Sequence, residues 1–366
     1  MKDNIYTYVR ERGHILFSES PLNEADNLVF SVFCYLDMAE VIPAPGHGKV
    51  RLHTAAVRYF KMHELPHTSL DDGTNSSDAL KRLFVRMARA PRYRDIMLSS
   101  YVDVFSKEKS EQFSALCLHY AKDRIFVVFR GTSSSLVGWK EDFILAATGD
   151  IYSQKDAASY LNYIGKHYPG SLLDVGGHSK GGHLAVYSSA NVRSDIQDRI
   201  QHVWSNDGPG LEERYMDTEG YRAIEKKILY YVPAASLASM LYPHNENFTV
   251  VGSYAKGLVQ HDAKTWIIRG DRFVTLHERT APSIASEEKI IAWLEKFPEE
   301  DLPHYADVFF DVLYASGAET FPELASLGAR GVLRCLNKIR RLPKKERRFI
   351  SQFMVLLFRT ARSLSH

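Results

Sequence analysis

Hydrophobic residues recur along this chain at two different spacings, and each spacing predicts a different kind of element. Residues 24–39, EADNLVFSVFCYLDMA, and residues 77–91 carry apolar side chains every three or four positions, which is the spacing of an amphipathic helix. Residues 42–74 are interrupted by prolines, glycines and histidines. They are predicted to form loops with room for one short helix.

The middle of the chain alternates short β-rich runs with helical stretches. EQFSALCLHY (111–120) and RIFVVFRG (124–131) flank a turn-like AKD and predict a hairpin. Four more strands are predicted, with helical stretches between several of them: LLDVGG (172–177), IQHVWSND (200–207), KKILYYVP (226–233) and NFTVVGSY (247–254). Strands that alternate with helices predict an α/β fold, with a mostly parallel central sheet and helices on both faces.

The last quarter of the chain has helical spacing throughout. It covers SEEKIIAWLEKF and residues 303–316, 321–338 and 344–363. Pro282 and the polar residues around it are a linker signal. We therefore predict an α/β domain over residues 1–280 and a helical C-terminal extension over residues 281–366.

Composition narrows the class of protein. The 366 residues are 45% hydrophobic and 25% charged with a net charge of +2, which is typical of a globular protein and argues against nucleic-acid binding as the main role. Three widely separated cysteines predict neither a disulfide framework nor a metal site. The N-terminus lacks an apolar signal core, and no apolar run reaches about 18 residues. We therefore expect a cytoplasmic protein.

The strongest chemical signal is the sequence GHSKG, which places Ser179 between Gly177 and Gly181. It fits G-x-S-x-G, in which a strand turns sharply into a helix with a nucleophilic serine at the apex. Glycine is needed two positions to either side because a side chain there would collide with the neighbouring elements. In such a turn the backbone N–H of Lys180 points at the reacting carbonyl oxygen.

A second donor for that oxygen is expected from FVVFRGTSSSLVGWKEDF, residues 126–143. A strand ends there in Arg130-Gly131-Thr132 and runs into a polar loop, which is where acyl-transfer enzymes of this kind hold an oxyanion donor. We predict that Thr132 supplies its N–H. We interpret Trp139 and Asp142 as structural.

These motifs resemble those of a known superfamily. FRGT, W..DF and GHSKGG, in this order, are similar to class 3 lipases of the α/β-hydrolase superfamily. NEADNLVFSVFCYLDM (23–38), GWKEDF (138–143), NDGPG (206–210) and QHD (260–262) more closely resemble a bacterial lipase-like group, domain-of-unknown-function family 2974. The resemblance covers residues 1 to about 275. It implies an α/β-hydrolase fold and a hydrolase of unknown substrate.

The acid and the base of a catalytic triad must follow the serine along the chain. Asp207 ends a predicted strand and enters a tight turn, so we expect it to be the acid. Class 3 lipases carry their acid after the next strand, where VPAASLASM (232–240) has no Asp or Glu. A structural role for Asp207, holding its turn, is the alternative.

His261 is the expected base because it lies in a loop after a late strand, and the resemblance matches the same residue. His277 is the second choice. His244, His304 and His366 also follow Asp207, the last two in the helical tail. We expect His178 and His183 to serve packing or helix capping.

The predicted activity is hydrolysis of carboxylic esters, of lipids or small acyl compounds, through a Ser-His-Asp triad and an acyl-enzyme, with no metal or cofactor. A catalytically silent scaffold used for binding and an acyltransferase or thioesterase are the alternatives. The sequence does not indicate an oligomeric state.

Two further segments bear on lipids. Residues 334–362 hold ten Lys or Arg and one acid among apolar residues, a pattern also found in helices that lie on anionic membranes. We favour the plainer interpretation, a domain helix with a solvated basic face. SLASMLYP (236–243) could line an acyl pocket, form a lid or belong to the core.

Overall fold

A computed structural model describes residues 2–65, 76–236 and 248–364 of the chain. Within these residues, nine strands form one sheet in the order β1-β2-β3-β4-β5-β6-β7-β8-β11, and β9 pairs with β10 separately. The strands are β1 (Lys49–Arg51), β2 (Met97–Ser106), β3 (Glu111–Ala121), β4 (Arg124–Phe129), β5 (Leu172–His178), β6 (Ile200–Asn206), β7 (Ile228–Pro233), β8 (Phe248–Val251), β9 (Ile268–Arg269), β10 (Arg272–Phe273) and β11 (Thr275–Leu276).

The sheet has an antiparallel start and a parallel centre. Strands β1 to β4 pair antiparallel, which confirms the predicted hairpin as β3 and β4. Strands β4 to β8 pair parallel, and β11 closes the sheet antiparallel to β8. Parallel neighbours need a crossover between them, so the carboxyl ends of β5, β6 and β7 lie side by side at one edge.

Helices cover the sheet and continue beyond it. Those of the first two thirds of the chain are α1 (Ile5–Arg12), α2 (Glu24–Phe33), α3 (Leu52–Met62), α4 (Ser76–Arg89), α5 (Pro91–Arg94), α6 (Leu136–Thr148), α7 (Tyr152–His167), α8 (Lys180–Asn191), α9 (Ser194–Gln197), α10 (Glu213–Met216) and α11 (Glu219–Ile224). The C-terminal ones are α12 (Ala281–Leu294), α13 (Leu302–Tyr314), α14 (Phe321–Ala325), α15 (Ala329–Arg341) and α16 (Lys344–Leu364).

The apolar residues of β4 divide between two cores, one on each face of the sheet. Ile125, Val127 and Phe129 pack into a core that contains residues of α7 and α8. Phe126 and Val128 point the other way, into a core built with residues of α1 to α5. Successive side chains of a strand face opposite sides, so an uninterrupted apolar run requires cover on both. The predicted α/β class, with helices on both faces of a mostly parallel sheet, is confirmed.

Two elements, β2 and α6, were not predicted. Strand β2 carries a bulge between Ser99 and Val102, which breaks the alternation that reveals a strand. A polar loop of unstated length was predicted after Thr132, and the structure ends this loop at Ser135, directly before α6. The hydroxyl of Ser135 accepts the Gly138 N–H at 3.1 Å, so this serine caps a helix.

Other boundaries differ by a few residues. Helix α2 ends at Phe33 and does not reach residue 39. The single helix predicted over 321–338 is interrupted: α14 ends at Ala325, and Gly328, in extended backbone, precedes α15. Glycine is a poor helix residue and a natural break.

The C-terminal helices share an apolar cluster that also includes side chains of α6. Tyr305 of α13 and Phe349 of α16 stack at 4.2 Å between ring centroids, and Phe143 of α6 packs edge-on against Phe353 at 5.2 Å. These contacts join the tail to the element that follows Thr132. The boundary near residue 280 stays a prediction. Among the described helices, none is both long and apolar enough to cross a membrane.

Candidate active site

Ser179 lies at the sharp turn between β5 and α8. Its backbone angles are φ 59° and ψ −134°, a region that costs a non-glycine residue about 1–3 kcal/mol. A Cβ on Gly177 would lie 2.4 Å from the carbonyl carbon of Gly181, and one on Gly181 would lie 2.2 Å from the Phe129 oxygen. The glycines of the motif are therefore required by packing, and together they hold the serine in a strained position.

His261 lies within hydrogen-bond distance of this serine. It ends the 3-10 helix Gly257–His261, which follows β8. Its Nε2 lies 3.1 Å from Ser179 Oγ, and its Nδ1 lies 2.6 Å from Asp207 Oδ2. A carboxylate can only accept, so Nδ1–H donates to Asp207 and Nε2 is left to accept from the serine hydroxyl.

Asp207 follows β6 directly and is fully buried. Its backbone is left-handed at φ 50°, and its N–H donates to the Tyr231 carbonyl at 2.7 Å. The hydroxyl of Ser236 donates to the other carboxylate oxygen, Oδ1. A buried carboxylate needs such donors because it has lost its water.

The sequence did not identify Ser236 as a hydrogen-bond donor to Asp207, although its position along the chain indicated a place near the site. This residue stands just after β7, where class 3 lipases carry their acid. Here that place supplies a hydroxyl to the Asp207 carboxylate. The rest of the predicted lining or lid segment, residues 237–243, lies outside the described residues.

Opposing effects set the pKa of His261. Burial lowers it, but the Asp207 carboxylate raises it through charge and hydrogen bonding, with smaller contributions from Asp142 and Asp262, and the net shift is upward. A raised pKa means that the imidazolium is stabilised. The ring can therefore hold a proton taken from Ser179.

The loop after β4 lies against the serine on its other side. A Cβ on Gly131 would lie 2.4 Å from the His178 carbonyl oxygen and 3.1 Å from Ser179 Cβ. The Thr132 hydroxyl donates to Asp142 Oδ1 at 2.8 Å, which pins the residue. Burial is the main reason that the pKa of Asp142 rises to about 6. Within the described residues, no hydrogen bond is formed by the N–H groups of Thr132 and Lys180.

The side chain of Lys180 points away from the serine into the protein. Its ammonium group pairs with the buried Glu141 carboxylate and donates to the Gln112 carbonyl at 2.7 Å. Both side chains of the ion pair are only 1% exposed. The sequence indicated only a backbone role for Lys180, and its side chain has a separate structural one.

The two histidines that flank the serine are held by hydrogen bonds. His183 Nδ1–H donates to the Gly210 carbonyl at 2.9 Å, and its Nε2 accepts from Gln154. His178 Nε2–H donates to the His261 carbonyl at 2.7 Å, and its Nδ1 accepts from the Tyr35 hydroxyl at 2.9 Å. Burial, and then the positive charge of His261, lower the pKa of His178 well below its ordinary value. His178 is a neutral support for the His261 turn.

The alternative bases lie elsewhere. His277 is exposed beyond β11, and His304 on α13 pairs with Glu346 at 3.0 Å. His244 and His366 lie outside the described residues. Among the described histidines that follow Asp207 in the chain, only His261 lies within hydrogen-bond distance of Ser179.

The chain has a lipase-like α/β-hydrolase fold, with a mostly parallel sheet and a serine at the sharp turn between β5 and α8. It belongs to the Mbeg1-like family, whose model matches residues 87–311, about three fifths of the chain. The narrower family 2974 expected from the sequence is not named by this match and stays a prediction. Comparison with curated proteins finds no match.

Three solved structures of fungal lipases are similar to the chain. The Rhizomucor miehei lipase propeptide complex is 15% identical over 54% of this chain and 64% of its own, with a TM-score of 0.32. Lip2 lipase from Yarrowia lipolytica is 14% identical over 48% and 71%, with a TM-score of 0.31. A fungal lipase–inhibitor complex is 18% identical over 42% and 65%, with a TM-score of 0.29. The chain thus spans less than two thirds of the first lipase.

Proposed function

We propose that this protein is a serine hydrolase that cleaves carboxylic esters of lipids or small acyl compounds through an acyl-enzyme. One observation carries the proposal: a continuous hydrogen-bond chain from Ser179 Oγ to His261, at 3.1 Å, and on to Asp207, at 2.6 Å. Ser179 and Asp207 directly follow β5 and β6, and His261 ends the 3-10 helix after β8. Their hydrogen bonds run in the order that nucleophilic acyl transfer needs.

In the proposed first half-reaction, Ser179 Oγ attacks the ester carbonyl carbon while His261 Nε2 takes the hydroxyl proton. Asp207 keeps Nδ1 protonated and stabilises the imidazolium that forms. His261 then gives its proton to the alcohol oxygen as the carbon–oxygen bond breaks. In the second half-reaction a water molecule, activated by the same histidine, attacks the acyl-enzyme and releases the acid.

The negative charge that develops on the carbonyl oxygen needs donors that are already in place. The N–H groups of Lys180 and Thr132 are the ones we assign to it, and each such donor is worth about 3 kcal/mol of barrier. Gly131 lies so close to His178 and Ser179 that it has no room for a Cβ, and this position of the loop supports the Thr132 assignment. Because the Thr132 hydroxyl already donates to Asp142, its N–H is the donor that remains.

The alternative of a silent scaffold depended on the missing acid after β7. Asp207, from the neighbouring strand, lies within hydrogen-bond distance of His261, and Ser236 after β7 donates to it. This arrangement favours an active enzyme.

A fluorophosphonate probe tests the proposal directly. The Ser179 oxygen should displace fluoride and form a bond to phosphorus, so the added mass should lie on the peptide that contains Ser179. Labelling requires neutral His261, whose pKa is raised above its ordinary 6.5. The rate should therefore rise with pH through a midpoint above 6.5, because the proton is retained to higher pH than in a free histidine.

Two histidine variants serve as the matched pair in this experiment. His261→Gln should label about 10³-fold or more slowly and lose the pH-dependent limb. His277→Gln, at an exposed position, should label like the wild type. Labelling on another residue, a midpoint below 6.5, or a larger loss in His277→Gln would contradict the proposal.

Ser236 should affect the rate through Asp207. Ser236→Ala removes one donor to a buried carboxylate, and a hydrogen bond to a charged group is worth about 1.5–3 kcal/mol. We expect kcat for p-nitrophenyl ester hydrolysis to fall about tenfold or more. The matched control is Ser283→Ala, another fully buried serine, whose hydroxyl donates to the Ser236 carbonyl at 3.1 Å and does not touch Asp207. Equal losses in both variants would exclude a specific role for Ser236.

A further inference from the structure

Positive charge is concentrated at the C-terminal end of the chain. Residues 329–364, which form α15 and α16, contain eleven Lys or Arg and one Glu, a net charge of +10. The whole chain carries +2, so the remaining residues carry −8. The C-terminal helices therefore have a strongly positive local potential, although the net charge of the whole chain is small.

Most of these cations have no hydrogen-bond or ion-pair partner among the described residues. Lys338 and Lys345 pair with Asp311 and Asp301, and Arg334 donates to a carbonyl. The other eight are exposed and form no hydrogen bond or ion pair with a described residue: Arg330, Arg340, Arg341, Lys344, Arg347, Arg348, Arg359 and Arg362. An unpaired cluster of like charges is stabilised by an external anionic partner.

Helix α15 also exposes apolar side chains beside these charges. Val332, Leu333 and Leu336 share one side of the helix, because residues three and four apart are neighbours, and each is 46–53% exposed. A second side, with the partly buried Cys335 and Ile339, already packs into the C-terminal apolar cluster. Helix α15 is therefore already packed against the protein through its second side, and the exposed Val332, Leu333 and Leu336 do not contribute to that packing.

Helix α16 repeats the combination. Phe349 and Ile350 are buried in the cluster, whereas Met354 and Val355 are 51% and 46% exposed. The exposed basic residues of α16 precede and follow them along the chain. We call the exposed side chains of α15 and α16 together the basic helical surface.

We propose that the basic helical surface binds the face of an anionic lipid membrane. The cations match lipid phosphate and carboxylate groups, and the aliphatic side chains match the acyl boundary beneath the head groups. A nucleic acid would use the cations alone and would leave half-exposed leucine and valine without a partner. Both features together therefore favour a bilayer.

The position of α16 relates this surface to the candidate active site. Helix α16 contacts the 3-10 helix Gly257–His261, and Val259 in that turn is 63% exposed. A membrane bound at α16 would thus lie beside the turn that holds His261. Membrane binding itself does not depend on the proposed hydrolase activity, whereas the delivery of a lipid ester to Ser179 would rest on it.

Vesicle flotation of the full chain tests the proposal. We expect binding to phosphatidylcholine vesicles that contain about one third phosphatidylserine, weak binding to phosphatidylcholine alone, and loss of binding in high salt. Each Lys or Arg near such a surface strengthens binding about fivefold. A variant with Arg340, Arg341, Arg347 and Arg348 changed to Gln should bind at least about 100-fold more weakly.

Matched variants separate position from composition. Changing Lys122, Lys155, Lys166 and Lys226 to Gln removes the same charge from exposed positions elsewhere and should change binding less than about threefold. Changing Val332, Leu333 and Leu336 to Ser should weaken binding about tenfold. The same change at Val57, Met62 and Leu65, which are also exposed, should not weaken it. Ser179→Ala should bind like the wild type, so this test is independent of catalysis.

Several results would overturn the proposal. Equal binding to neutral and anionic vesicles would remove the role of charge, and equal loss in the two glutamine variants would remove the role of position. Binding of single-stranded RNA without vesicle binding would identify a nucleic-acid surface. A change from oligomer to monomer in the Arg340, Arg341, Arg347 and Arg348 variant would indicate that a second copy covers the surface.

Discussion

Ser179→Ala should reduce kcat/KM for p-nitrophenyl ester hydrolysis about 10⁴- to 10⁶-fold, because it removes the atom that forms the acyl-enzyme. Binding of the ester should change little, since the surrounding donors remain. Fluorophosphonate labelling should be lost in the same variant. The measurement is steady-state hydrolysis with esters of several chain lengths, which also reports the acyl preference.

The same position should show a trade-off between activity and stability. Ser179 has a positive φ that costs a residue with a Cβ about 1–3 kcal/mol. Alanine keeps that cost, whereas glycine removes it. We therefore expect Ser179→Gly to be as inactive as Ser179→Ala. Its free energy of unfolding, measured with urea, should be about 1 kcal/mol higher than that of the alanine variant. Retention of more than a tenth of the wild-type kcat/KM by either variant would refute the proposed nucleophile.

Lys180→Met should destabilise the protein by about 3–5 kcal/mol, because it leaves the Glu141 carboxylate buried without its counter-charge. Stabilities of single domains are about 5–15 kcal/mol, so this loss is a large part of the total. Urea unfolding followed by circular dichroism measures it. The hydrolytic rate per folded molecule should fall less than tenfold, because the N–H at position 180 is retained.

A second substitution tests the cause of that loss. Adding Glu141→Gln to Lys180→Met removes the unpaired charge. The amide oxygen can still accept from the Gln112 N–H, and the amide NH2 group can donate to the Ser153 hydroxyl, which donates to the carboxylate in the wild type. We expect the double variant to recover about half of the lost stability. A stable but inactive Lys180→Met would instead show that the ammonium group takes part in the chemistry.

The two parts of Lys180 show how one position serves two purposes. Its backbone is determined by the turn at Ser179 and is directed toward the reacting oxygen in the proposed mechanism. Its side chain extends to Glu141 on α6, the helix that follows Thr132. The ion pair thereby connects the two segments that we assign to the oxyanion.

Much of the fold was predictable because its signals are local. Apolar runs such as 124–129 must be covered on both faces, and glycines at 177 and 181 mark a turn that only glycine can enter. The bulged strand β2 and the serine-capped helix α6 were not predicted. Their formation depends on how the chain packs against other elements, which the local sequence does not show. Ser135 forms a loop or a cap according to where the chain goes next.

The sequence by itself determined the α/β order of elements, the turn at Ser179 and a short set of acids and bases that could serve it. The signals for these features are steric limits and the spacing of apolar residues, and both arise between residues that are close together in the chain. Only the tertiary structure decided that His261, and not His277, approaches the serine, that Ser236 donates to Asp207, and that Lys180 pairs with Glu141. These contacts join residues that are 29 to 82 positions apart in the chain. The order of the strands and the packing of the helices bring such residues together, and no local sequence pattern specifies either.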